Sequence, residues 1–138
     1  MKASFYLLLF FFNTASFATT KANAILGIWF TEVKDAKIEV YKKANKYYGR
    51  AIWLAEPKDE DGKEVVDEHN PNESLNNRPI LGIDILIGFV YDDGEWNGRI
   101  YDPKNGETYT AKLWMEGRSL KVRGYLGWFF DTKTWTRP

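Results

Sequence analysis

The stretch Gly98-Arg-Ile-Tyr-Asp-Pro-Lys-Asn-Gly-Glu-Thr-Tyr-Thr-Ala-Lys-Leu113 decides the fold. Arg99-Ile100-Tyr101 ends one β-strand, and Asp102-Pro103 stops its ladder because proline has no N–H to donate. Asn105-Gly106 predicts a two-residue type I′ turn, whose central positions both need positive φ. Beyond the turn, Tyr109, Ala111 and Leu113 alternate with Thr108, Thr110 and Lys112, which is the period of a half-buried strand.

The same hairpin logic extends in both directions. On the N-terminal side, Ile80 to Tyr91 is the most apolar stretch after residue 18; Ile83, Ile85, Ile87, Phe89 and Tyr91 are expected on one face and Leu86, Gly88 and Val90 on the other. Asp92-Asp93-Gly94 turns it into Glu95 to Tyr101. On the C-terminal side, Glu116-Gly117-Arg118 turns the chain into a strand with Leu120 and Val122 inward, and Trp128 to Arg137 is the last strand. Nearer the start, Gly27 to Thr31 and Lys37 to Tyr41 form a pair, and Tyr47 to Ala55 follows after Lys43-Ala44-Asn45-Lys46. In this third strand Tyr48, Ile52 and Leu54 are expected opposite Tyr47, Gly49, Ala51 and Trp53, with a bulge or bend at Gly49. Residues 56–78 break the rhythm as an acidic, turn-rich loop in which Asn70 and Pro71 are placed to start one helical turn.

These segments amount to eight strands joined mostly by short turns, the pattern of an all-β, mostly antiparallel up-and-down barrel with one long loop or short helix at about 56–78. Aromatic residues make up 17% of the chain, which also favours pleated, half-buried surfaces. Eight strands can close on themselves and so remove their edges. An open sandwich is the alternative.

Lysine plus arginine equals aspartate plus glutamate at 19 each, so charge gives no reason to expect a nucleic-acid partner. There is no cysteine, which excludes disulfides, zinc–thiolate sites and thiol nucleophiles. Residues 1–18 read as a signal peptide: Lys2, then an apolar run from Phe5 to Phe12, then the small residues of Ser16-Phe17-Ala18. The run is too short to span a bilayer, and no membrane span is expected in the mature chain. Residues 19–138 are expected to form a single periplasmic or secreted domain.

Gly27-x-Trp29 on the first strand, with Arg137 near the end of the last, resembles the calycin and lipocalin arrangement. That resemblance implies a basic residue stacked on a tryptophan that closes the barrel. From Gly27 to Arg137 the chain also resembles a bacterial family of exported proteins, domain of unknown function 2147. The matching residues include Asn70-Pro71 with Leu75, Arg78-Pro79, Gly82, Gly98, Ile100 to Pro103, Gly106 and Tyr109. Leu120 to Gly124 and Thr134 to Arg137 complete the pattern. The resemblance implies export and a calycin-like barrel, and carries no activity with it.

Candidate site residues follow from chemistry. Asp84 is a carboxylate in an apolar strand, which needs a partner; Arg99 and Arg123 are the partners of the right type. Tyr101 and Asp102 end a strand where a barrel mouth would lie. These five are the candidate ligand-binding residues, and Trp29 and Arg137 the barrel-closing pair. His69 is the only histidine, so neither a histidine-rich metal site nor a catalytic triad with a spare base is supported. Asp59-Glu60-Asp61-Gly62 lacks the ligand spacing of a calcium loop. No catalytic residue, metal or cofactor is expected. The expectation is a non-enzymatic barrel binding a small apolar or amphipathic ligand or an envelope protein. The alternative is an envelope enzyme using Asp67, Asp84 and Asp102 on a glycan or lipid-like substrate.

Processing gives the first test. The exported protein should begin at Thr19, and intact-mass measurement of periplasmic material checks this directly.

Overall fold

A computed structural model of the chain describes residues 2–4 and 21–138. The expected signal segment, with its expected cleavage after Ala18, lies outside the described residues but for residues 2–4. Eight antiparallel strands run in sequence order around one sheet: β1 (Gly27–Phe30), β2 (Ala36–Lys43), β3 (Lys46–Leu54), β4 (Asp84–Asp92), β5 (Glu95–Asp102), β6 (Glu107–Glu116), β7 (Ser119–Leu126) and β8 (Phe129–Trp135). The sheet curls until its two ends meet. Phe30 and Thr136 exchange backbone hydrogen bonds of 2.7 and 3.1 Å, and this bridge joins β1 to β8. Above it β1 stops after four residues, and the Glu32 carboxylate takes over, accepting the Thr134 backbone N–H at 3.0 Å.

Short turns set this order. Ala44-Asn45 and Asp93-Gly94 both have two consecutive positive φ values, which matches the right-handed twist of the strands they join. Asn105-Gly106 does not form the expected type I′ turn. Only Gly106 has positive φ there, and the connection takes in four residues between Asp102 and Glu107, the last pair of the ladder. Pro103 is the physical reason: its ring fixes a negative φ, and the Asp102 carboxylate then caps the Lys104 N–H at 2.9 Å. The Gly106 N–H closes the turn on the Asp102 carbonyl at 2.8 Å. A Cβ on Gly106 would also lie 1.9 Å from the His69 carbonyl oxygen, so only glycine lets the long loop pack on this turn.

Bulges correct the face assignments. The β3–β4 register slips at Ile85, and the β4–β5 register slips between Ile87 and Val90, where Gly88 has positive φ. Each extra residue reverses the alternation. As a result Leu86 and Phe89 both face the core, and Asp84 faces outward opposite Arg50. In β3, Ile52 is the extra residue. Trp53 therefore turns out to stack edge-on with Phe30 (6.0 Å), and Leu54 turns in. The last strand starts at Phe129, with Trp128 left in the turn, and no helix forms around Asn70.

The core fills the lower half of the barrel with Trp29, Phe89, Trp96, Leu86, Leu113 and Leu120. A short 3-10 turn, Asn23–Ile25, and its neighbours close the floor. Backbone carbonyls do this work: Ala22 accepts Trp96 Nε1 at 3.0 Å, and Ile25 accepts Trp29 Nε1 at 2.9 Å. The Asn23 side chain accepts the Tyr47 hydroxyl at 2.6 Å. Arg137 seals this end. Its guanidinium lies 3.8 Å from the Trp29 ring centroid and donates to the carbonyls of Ala24, Leu26 and Ile28. Gly27 makes room, because a Cβ there would lie 2.8 Å from the arginine.

Removing either side of this contact gives a second test. Trp29→Ala leaves a cavity and should cost about 3–5 kcal/mol. Arg137→Lys keeps the charge, loses the planar stack and should cost about 1 kcal/mol. The two share one interaction, so the double variant should cost less than the sum in chemical denaturation.

Candidate functional site

The four connections at the other end of the barrel, 31–35, 55–83, 103–106 and 127–128, surround an open cup. Its volume is about 1180 Å³. Inward alternation of β2 to β8 supplies an apolar wall, with Ile38, Ile85, Ile100, Tyr109, Val122 and Trp135 among the lining residues. The cup is deep because large side chains stop halfway. Among the lining residues of β3 and β7, Ala51 and Gly124 have side chains too small to project into the space.

The long loop forms one wall of this mouth, and a buried carboxylate pins it. Asp67 is 0% exposed. It accepts the Tyr101 hydroxyl at 2.5 Å, Asn70 Nδ2 at 2.8 Å and Arg78 Nε at 3.0 Å, with Arg78 Nη2 also at 3.0 Å. Its own N–H donates to the Arg78 carbonyl at 2.9 Å. A buried charge with this many donors is compensated rather than costly. Three separate motifs thus converge on one group: Asn70 before Pro71, Arg78 before Pro79, and Tyr101 two residues before Pro103. Burial and then the bond to Asp67 push the Tyr101 phenol up to about 12.

The candidate residues read from sequence do not gather in one place. Asp84 lies on the outer face and pairs with neither Arg99 nor Arg123; it accepts the Tyr41 hydroxyl at 2.7 Å. Burial and this bond push Tyr41 up to about 12. Arg99 is exposed across from Thr110. Arg123 donates to Thr132 Oγ1 at 2.7 Å and stacks between Trp114 and Phe130 at 4.9 and 4.2 Å. Tyr101 belongs to the loop anchor, and Asp102 lines the cup while capping its turn. Sequence reasoning left Asp67 out of the binding set, and it missed the inward Lys133 and Asp131 on β8, which lie 3.2 Å apart at the mouth. The recurring polar residue before proline was the available signal for Asp67.

The mouth carries a second unassigned feature. Leu126, Trp128, Phe129 and Phe130 are 68, 89, 70 and 59% exposed at the β7–β8 turn, and Val33 on the facing turn is 72% exposed. Among the described residues no three potential metal ligands cluster, and no helix is long and apolar enough to cross a membrane.

The loop anchor generates a third test. Arg78→Met strands the Asp67 carboxylate without its cation and should cost about 3–5 kcal/mol. The alkaline limb reports this network together with the outer-face bond from Tyr41 to Asp84. Tyr41 and Tyr101 hold their protons to about 12 against an ordinary value of 10.0, so the folded state binds more protons in that window. The stability they add is complete below pH 10 and is lost as pH rises towards 12. Tyr101→Phe should shrink that loss in denaturation midpoints measured across the range.

Known proteins fit this geometry. A solved structure from the human pathogen Helicobacter pylori, described as belonging to the lipocalin family, superposes with a TM-score of 0.70 and 24% identity, covering 83% of this chain and 82% of that one. At that identity the likeness concerns the fold. No curated protein matches the sequence. Trp29 and Arg137 at the floor, the residues that anchor the loop and those that turn β5 into β6 fall within the span matched by one family profile, residues 27–137, and the chain belongs to that family, described as uncharacterized proteins conserved in bacteria (DUF2147).

Proposed function

We propose that this chain is an exported cell-envelope protein whose barrel holds one small apolar or amphipathic ligand in the cup at its open end. The cup itself carries the reading: an apolar-walled space of about 1180 Å³, open to solvent above a filled core. A barrel of eight strands has room for one such ligand only if its interior is left unfilled, and here it is left unfilled in the upper half. The fold shared with a protein described as a lipocalin supports the same reading by analogy. The signal segment at 1–18 supports export.

A second reading rests on the aromatic tip. Exposed Leu126, Trp128, Phe129 and Phe130 suit contact with another envelope protein. Carboxylate-based catalysis has less support, since of Asp67, Asp84 and Asp102 only Asp102 lines the cup. Asp67 is saturated by its donors, and Asp84 is bound to Tyr41 on the outer face.

Filling the cup tests the proposal. Ile100→Trp places a large ring in the wall and should weaken binding of neutral phenylnaphthylamine, read by its fluorescence, by roughly tenfold or more. Arg99→Ala, on the exposed face of the same strand, should leave binding unchanged. Equal binding by both variants, or none by the parent protein, would rule out the cup as the site.

A further inference from the structure

Resting on the cup as a ligand site, we infer that its ligand is an amphiphile with a cationic or neutral head group, and that fatty-acid-like anions are selected against. The wall is apolar, so the chain of an amphiphile belongs inside and its head at the mouth. The charge at the mouth is one-sided. Among the described residues lining the cup, the carboxylates are Glu32, Asp35, Glu56, Glu68, Asp102 and Asp131, and the lysines are Lys34, Lys104 and Lys133.

The lysines are moreover occupied. Lys104 Nζ lies 2.9 Å from Asp35. Lys133 Nζ lies 3.2 Å from Asp131 and 3.8 Å from Glu32. Lys34 stands 5.8 Å over the Phe30 ring. His69, the remaining basic group of the lining, is 3.3 Å from Glu68. Burial acts to raise the Asp35 carboxyl, but hydrogen bonds from Thr31 and Lys104 outweigh it and its pKa is lowered; the same pairing raises Lys104. An anionic head would have to break these pairs or face unneutralised carboxylates. A cationic head meets carboxylate oxygens directly, beside exposed aromatic faces at Trp128 and Phe129 that favour cations.

Chain-matched detergents separate the outcomes. Dodecyltrimethylammonium, dodecyl maltoside and laurate, each below its micellar concentration, compete with phenylnaphthylamine for the full-length mature protein. The ammonium should displace the probe at roughly tenfold lower concentration than laurate, with the neutral maltoside between them. Added salt should narrow the gap, because charges at an open mouth are screened. The double variant Asp35→Asn, Asp131→Asn removes the nearest carboxylate from Lys104 and from Lys133 and should bring laurate close to the ammonium. Both side chains are partly or well exposed, at 39 and 74%, and asparagine at 35 keeps an oxygen that can accept the Thr31 hydroxyl, so the fold tolerates the change. Competition in which laurate matches or beats the ammonium overturns the head-group assignment while leaving the cup intact as a binding site. Failure of all three, the maltoside included, overturns the cup itself.

Discussion

The contact between Trp29 and Arg137 is the constraint on which the barrel depends. Every other strand pair joins neighbours in sequence, and all but β3–β4 are joined by a short connection that places the partners side by side. Joining β1 to β8 has no such help. The bridge at Phe30 and Thr136 provides only one pair, so side chains must complete the closure. Arg137 does this by meeting the indole face and three carbonyls of the N-terminal segment at once. Its planar fork suits several acceptors in one plane, which an ammonium cannot match. Gly27 belongs to the same device, since the arginine occupies the space its side chain would need.

The two ends of the barrel solve opposite problems. The floor is packed, and its indole N–H groups are paired with backbone carbonyls of the N-terminal segment. The mouth is wet and is held open by a loop too long to be stiff on its own. Asp67 makes that loop rigid by drawing Asn70, Arg78 and Tyr101 onto one carboxylate. Placing the charge in the loop rather than the barrel leaves the inner wall apolar while the loop stays ordered. The His69 carbonyl against Gly106 fixes the same loop to the β5–β6 turn.

Much of this architecture was legible in the sequence, and the exceptions have physical causes. Strand number, order and the alternation around Leu113 and Val122 follow from period and turn chemistry, both local. The faces of β4 and the end of β3 did not, because the bulges at Ile85, Gly88 and Ile52 invert parity without a mark in composition. The turn at Asn105 and Gly106 was misread because Pro103 and the capping Asp102 outweigh the local preference of the pair. Asp84 looked like a buried charge only on the assumption of unbroken alternation. Asp67 was hidden because its partners lie 3, 11 and 34 residues away and no periodicity links them.

The single bridge between the first and last strands has a consequence for how the chain reaches this state. The other pairings join segments adjacent in sequence, all but β3–β4 across short connections, so most can form with a small loss of chain entropy. Closure brings together groups such as Arg137 and Ile28, 109 residues apart. That step is entropically affordable only after the meander has already curled and carried its ends close together. On this entropic argument closure is expected late in folding, with the one-bridge seam the first part to reopen.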